Sequence, residues 1–141
     1  MRRSPLEFVL TAMVTALRAS SGLTALIGSS TAVYNNVEQG AVYPYVVVSS
    51  PTDRRMDTFG RFGAETLVDV KAVSQYPGDR EASRIIDQAK RTLDLQPLAT
   101  TEHTTLGVAW DTGERFSEIV NGIVTRHAVG TFRVWTEQSS S

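Results

Sequence analysis

Three acidic residues that lie close together in the sequence are the first candidates for acid–base chemistry. Asp111, Glu114 and Glu118 surround one predicted turn. A pair of carboxyl groups acts as general acid and general base when an apolar environment raises the pKa of one of them. The neighbouring sequence indicates no apolar wall of that kind, so we interpret these carboxylates as solvated loop charges. We expect no catalytic residue in this chain and no enzymatic activity.

The two histidines, His103 and His127, lack the spacing of a metal site. A hydrolytic metal site needs about three convergent ligands, and neither His-x-x-x-His nor Glu-x-x-His occurs in the sequence. We interpret both as surface histidines, with His127 on the outward face of the last predicted strand. The chain has no cysteine, which excludes a disulfide scaffold, a thiolate zinc site and a cysteine nucleophile. We therefore expect no metal and no cofactor.

A Gly-x-x-Gly segment at residues 60–63 is the one candidate for direct nucleic-acid contact. Such loops clamp a nucleic-acid backbone in KH domains, where they join two helices. Here a strand follows the segment and no helix precedes it, so a flexible hairpin tip is the better interpretation. The chain carries 14 Lys and Arg against 15 Asp and Glu, so no global basic field indicates nucleic-acid binding. A small nucleic-acid-binding module nevertheless stays open as an alternative function.

The periodicity of apolar residues predicts the helices and the first hairpin. Helical spacing predicts one amphipathic helix over residues 6–17, a short helical turn over residues 23–27, and another helix over residues 82–93. Residues 29–42 read as irregular, and the sequence allows a short strand near Val33-Tyr34. The β-branched run at residues 46–48 and the period-two alternation at residues 66–72 predict two strands that form a hairpin.

The second half of the chain predicts another hairpin. Residues 106–110 alternate as a strand, and Asp111-Thr112-Gly113 begins its exit turn. Residues 116–120 fit no single pattern, and Asn121-Gly122 is a favoured tight-turn pair. In the last strand, alternation turns Ala128, Phe132 and Val134 inward.

The resulting order is helix, hairpin, helix, hairpin. This order predicts an α+β domain with an antiparallel sheet of about four strands and two main helices packed on one face. The 141 residues make a single domain, residues 1–141. Residues 1–4 and 137–141 are expected to be loose termini, and residues 51–63 an extended hairpin tip. No run of about 18–20 apolar residues predicts a membrane span, so we expect no membrane contact.

Two features of this domain are typical of a subunit interface. The hairpin tip combines arginines with aromatic residues, which are enriched at the centres of protein interfaces; an unsupported loop is the alternative for this tip. An outward tryptophan on the last strand is covered either by a partner or by the first helix, and the sequence leaves both possibilities open. The candidate interface residues are Arg54, Arg55, Asp57, Phe59, Arg61, Phe62 and Trp135.

The pattern as a whole resembles the tail-completion, or tail-terminator, proteins of long-tailed bacteriophages and gene-transfer particles. The resemblance covers roughly residues 6–136. It rests on the amino-terminal amphipathic helix, the turn ending Leu26-Ile27-Gly28, the strand Tyr43-Pro44-Tyr45-Val46-Val47-Val48, the helix with Ile85-Ile86, and the strand ending Phe132-Arg133-Val134.

This resemblance implies a structural assembly protein of the virion, made in the host cytoplasm and placed at the head-proximal end of the tail. Such proteins form a ring, typically a hexamer, on the finished tail tube. The ring stops tube polymerisation and joins the tail to the head connector, while DNA passes through its channel without sequence-specific binding. The implied partners are further copies of the chain, the tail tube protein and the head–tail connector protein. A position as a connector or neck component is the alternative within the same particle.

Overall fold

The computed structural model describes residues 6–28, 32–35, 43–55, 61–75, 80–96 and 104–139. Within these residues three helices and five strands form one α+β fold. Their bounds are α1 Leu6–Ala19, α2 Ser21–Ile27, β1 Val33–Tyr34, β2 Tyr45–Arg55, β3 Arg61–Ser74, α3 Arg80–Leu93, β4 Thr104–Val120 and β5 Ile123–Ser139. The predicted order of helix, hairpin, helix, hairpin is confirmed, and β5 runs into the segment expected to be a loose terminus.

The sheet has five strands in the order β1-β2-β3-β5-β4 and is mixed. The prediction of about four antiparallel strands is wrong in this respect, because β1 runs parallel to β2 with Val33 opposite Val46. The Arg18 guanidinium of α1 donates to the Val33 carbonyl oxygen from Nε at 3.2 Å and from Nη2 at 2.7 Å. A tertiary contact from a helix thus helps to hold a two-residue strand that is too short to show periodicity.

Two short helical segments precede the sheet. In α1 the apolar stripe that the spacing predicts is buried, with Val9, Met13 and Leu17 fully inaccessible. The Ser20 hydroxyl accepts a hydrogen bond from the Leu23 backbone N–H and starts α2. Gly28 ends α2 at φ 81°, as expected for a left-handed helix stop.

No single helix among the described residues is long and apolar enough to cross a membrane. The helices α1 and α2 are apolar together, but the chain bends by 80° between them.

The core lies between the helices and one face of the sheet, which we call the helix face. Alternate residues of β3 and β5 on this face are buried, including Val68, Val70, Phe132 and Val134. The inward stripe of α3 is buried as predicted: Ala82, Ile85, Ile86, Ala89 and Leu93. The opposite face of the sheet, the outer face, has no helix of the described chain packed on it and carries mostly partly buried residues.

Strand β4 continues through Asp111-Thr112-Gly113, so the exit turn predicted there is wrong. A register irregularity between Trp110 and Thr112 takes up the turn-like residues as a bulge. The chain reverses only at Asn121-Gly122, with φ values of 51° and 78°. Positive φ at both turn residues is the signature of a tight type I′ hairpin, so the alternative bend considered at this pair is confirmed.

Two glycines on the helix face make room for the Trp110 indole. A Cβ added to Gly130 would lie 2.4 Å from Trp110 Cζ3, and one added to Gly113 would lie 2.7 Å from Cζ2. The ring also stands edge-on to Phe132, with 5.3 Å between ring centroids, and the Lys90 ammonium lies 5.0 Å from the indole. Gly113 is therefore a packing residue rather than a turn residue.

We expect Gly130→Ala to lower the free energy of unfolding by about 1–3 kcal/mol, because the new methyl group overlaps the indole and forces it to move. Gly107→Ala is the matched control, since a Cβ there would lie 3.4 Å from Trp135 Cε3, within reach of a small adjustment. Chemical denaturation of the two variants measures the difference. Equal stabilities would contradict this account of the glycine.

Candidate assembly surface

The β2–β3 hairpin holds most of the predicted interface residues. Arg54 and Arg55 lie near the end of β2, opposite Glu65 and Ala64. Arg61 and Phe62 begin β3 and pair with the end of β5. The strands therefore bring these four positions to one end of the sheet. Asp57 and Phe59 lie outside the described residues.

Trp135, the predicted interface residue from the last strand, lies at this same end. The strand register places Arg54, Glu65 and Trp135 in one row across β2, β3 and β5. Directly opposed residues of neighbouring strands share a face, so the row lies on the outer face. The Trp135 indole N–H donates to Glu65 Oε2 at 3.1 Å. Of the two covers considered for the indole, the first helix is excluded, because it packs on the other side of the sheet.

Charged side chains surround this row. Arg133 lies 3.7 Å from Glu65 Oε1 and 3.3 Å from Asp111 Oδ1. Thr131 donates to Asp69 Oδ1 at 2.8 Å. In this part of the outer face, polar and charged side chains thus surround one half-buried indole. Protein interfaces have a similar composition, with an apolar or aromatic centre and a polar rim.

The three candidate carboxylates are not brought together at one reactive centre. Asp111 pairs with Arg133, Glu118 pairs with His127, and Glu114 has no hydrogen bond or ion pair to another described residue. All three lie along β4 rather than in a loop. Among the described residues, no three His, Asp or Glu side chains form a group that could hold a metal ion.

His127 is buried, contrary to the prediction of a surface residue. Its position on the outer face is as predicted, but Phe116 stacks on the imidazole with 4.5 Å between centroids and 6° between planes. The Nε2 atom lies 2.8 Å from Glu118 Oε1. The Nδ1 atom is buried without a hydrogen-bond partner among the described residues. The outer face is therefore closed to solvent around His127.

Tyrosines extend this closed region across the sheet. Tyr45 lies in the same cross-strand row as His127, because both pair with Val73. Its ring contacts Tyr43 and Tyr34, with centroid distances of 5.2 and 6.0 Å. Burial raises the pKa of the Tyr45 phenol, and the Tyr43 hydroxyl and the Glu118 carboxylate raise it further. An aromatic cluster thus lies two strands away from the base of the β4–β5 hairpin.

Beyond that base, the β4–β5 hairpin projects past the rest of the sheet. The last pair between β3 and β5 is Ser74 with Arg126, so residues 118–125, which we call the hairpin end, extend further. Ile119 is 74% exposed, and Ile123 and Val124 are about half exposed. Sequence reasoning left these residues without a role. The signal that could have identified them is the run of β-branched residues on both sides of the Asn-Gly pair.

The comparison with known families decides what kind of protein carries these surfaces. A family model described as tail completion protein gp17 matches residues 11–137. The chain belongs to this tail completion family. Its sequence resemblance to tail-completion proteins is thereby confirmed, and its role is a structural one in tail assembly.

A solved structure supports the fold of this tail completion protein. One chain of a structure described as the virion of a native gene transfer agent particle superposes on it with a TM-score of 0.76 at 22% sequence identity. The match covers 93% of this chain and 96% of the other chain. At this identity the likeness concerns the fold. Among curated proteins, none is similar enough to this chain to count as a relative.

Proposed function

We propose that this tail completion protein is a tail terminator that forms a ring, expected to be a hexamer, on the head-proximal end of the tail tube. Membership in the family supports a role in completing the tail. The row Arg54, Glu65 and Trp135 is the observation that carries the step to a ring. It gathers sequence-distant interface residues at one end of the sheet.

A closed ring needs a contact between two different surfaces of neighbouring copies, repeated by rotation. The β2–β3 hairpin is suited to supply one of these surfaces. We place Arg54, Arg55, Asp57, Phe59, Arg61, Phe62 and Trp135 in this lateral contact. Arginine and tryptophan are the residue types that most often dominate binding energy in such contacts.

The ring would work by capping. One of its faces covers the surface onto which the next ring of tube protein would add, so polymerisation stops. The other face meets the head–tail connector protein, and DNA passes through the central channel. The chain has a formal net charge of −1, so it lacks the basic excess that retains DNA by counterion release. We propose no enzymatic step and no cofactor in this role.

The decisive experiment disrupts the gene and measures tail lengths by negative-stain electron microscopy. We expect overlong tubes without heads, because polymerisation has lost its stop. The gene supplied in trans is the control and should restore a single tail length. Tails of normal length that fail to join heads would instead place the protein in the neck. Normal particles would overturn a role in the tail and make salt-dependent nucleic-acid binding the next test.

A further inference from the structure

We propose that the hairpin end of one copy docks into a pocket between α2 and α3 of a second copy. The pocket is lined by Leu26, Arg80, Glu81 and Arg84. This inference rests on the proposed ring, because it names a contact between its subunits. It concerns the opposite end of the sheet from the β2–β3 hairpin.

The hairpin end presents apolar side chains on both of its faces. Ile119 and Val124 oppose each other on one face, and Val120 and Ile123 oppose each other on the other. Ile119, Ile123 and Val124 together leave a large apolar area in water at the tip of a projecting ribbon. Contiguous apolar surface of this kind marks an interaction site.

The outer edge of β4 is protected against simple strand addition. The bulge at Trp110–Thr112 interrupts the ladder, and Asp111, Glu114 and Arg115 place charges along the edge. Bulges and charges are the usual means by which edge strands avoid pairing with other chains. The bulge and the charges disfavour pairing of another strand with β4. We therefore assign the contact to the apolar side chains of the hairpin end.

The pocket between α2 and α3 complements this end in polarity. It has a volume of ≈ 260 Å³, and its apolar wall is Leu26, which is 36% exposed. The Glu81 carboxylate accepts a hydrogen bond from the Ser74 hydroxyl, so it already has a partner within its own subunit. Arg80 and Arg84 are exposed and form no hydrogen bond or ion pair with another described residue. The pocket is therefore apolar at its wall and cationic at its rim.

The charges of the hairpin match this rim. Glu114 has no partner among the described residues, and the Glu118 side chain is 54% exposed although one oxygen contacts His127. Both carboxylates face the same side of the ribbon as Phe116. On that side of the hairpin end, the exposed Glu118 carboxylate lies beside Val120 and Ile123. This face is complementary to the Leu26 wall beside Arg80 and Arg84. Such charge complementarity favours the correct partner and register.

Helix α3 separates the hairpin from the pocket within one chain. On one flank of α3, the Ser83 hydroxyl accepts a hydrogen bond from Arg115 of β4 at 2.9 Å. On the other flank, Gln88 packs over Gly22 of α2, and Arg84 lies one turn before Gln88 on that side. The two surfaces therefore do not overlap, and each copy can use both at once. Two different complementary surfaces on one chain give a heterologous contact, which closes into a ring by rotation.

Disulfide trapping tests this contact without background, because the chain has no cysteine. The double variant Ile119→Cys with Leu26→Cys replaces the wild-type gene, and the assembled tails are oxidised and analysed by non-reducing electrophoresis. We expect a ladder of cross-linked copies that ends at the closed ring. The matched control pairs Ile119→Cys with Thr11→Cys on the exposed side of α1 and should stay monomeric. Adding Arg80→Glu and Arg84→Glu to the test variant should abolish the ladder.

Each outcome has a distinct meaning. Normal tails with no ladder would overturn this inference and leave the terminator role intact. A dimer formed by Ile119→Cys alone would also overturn it, because that product joins two hairpin ends. A cross-link to a different virion protein would assign the hairpin end to that protein and overturn the contact between copies. The terminator role fails separately, when disruption of the gene leaves tail length and infectivity unchanged.

Discussion

Replacing Phe132 by alanine is expected to lower the free energy of unfolding by about 3–5 kcal/mol, the usual cost of deleting a buried aromatic ring. Phe132 is the largest fully buried side chain among the described residues. Its ring meets Trp110 at 89° between planes, an edge-to-face arrangement that adds to the stabilisation by burial. The Trp110 indole lies close over Gly113 and Gly130. We therefore expect it to fill little of the cavity that the removal of the Phe132 ring leaves.

Chemical denaturation of the isolated chain measures this loss. Phe116→Ala is the matched control, because this ring is 45% exposed and contacts mainly the His127 imidazole. Its removal should cost about 0.5–1.5 kcal/mol. A protein of this size is stable by about 5–15 kcal/mol, so the two variants should differ clearly in denaturation midpoint. Equal losses would contradict the assignment of Phe132 to the centre of the core.

The double variant Arg54→Glu with Arg55→Glu is expected to abolish ring formation while leaving the subunit folded. Both substitutions reverse a charge at the end of β2, and Arg54 lies in the row that contains Glu65 and Trp135. Because we assign these arginines to the lateral contact, reversing their charge replaces attraction by repulsion between neighbouring subunits. Size-exclusion chromatography with light scattering on isolated protein, and electron microscopy of tails, measure the loss.

Arg91→Glu is the control for charge reversal. Arg91 is an exposed residue in the last turn of α3, and its reversal costs about 0.3–1 kcal/mol through the helix dipole. This variant should form rings at the normal protein concentration. Intact rings of the Arg54→Glu, Arg55→Glu protein would remove the β2–β3 hairpin from the subunit contact.

Local periodicity of apolar residues was sufficient to predict most of the helices and strands. The stripe of α3 is visible as apolar residues at helical spacing, and the alternation of β3 separates buried Val68 and Val70 from partly exposed Asp69 and Lys71. The hairpin turn at Asn121-Gly122 follows from two residues that tolerate positive φ. Each of these signals depends on neighbours in sequence, which is why sequence reasoning could read them.

The features that sequence reasoning missed depend on contacts between distant segments. Gly113 reads as a turn residue until the Trp110 indole is seen to cover it. His127 reads as exposed from its strand phase, but Phe116 closes its face. The short strand that the sequence allows near Val33-Tyr34 is present as β1, but its parallel pairing with β2 joins segments that are separate in sequence. The row that joins Arg54 to Trp135 is defined by the register of three strands. Residue spacing within one strand carries no information about that register.

The pairing of β3 with β5 also makes the folding of the whole subunit depend on β5. The hydrogen bond between Thr131 and Asp69 joins positions 62 residues apart, and β5 contributes Phe132 and Val134 to the core from the carboxyl-terminal part of the chain. Non-local pairing of this kind forms late in folding. A nascent or truncated chain that lacks β5 has neither the central partner of its sheet nor its largest buried ring. The presence of β5 is therefore a condition for a folded subunit.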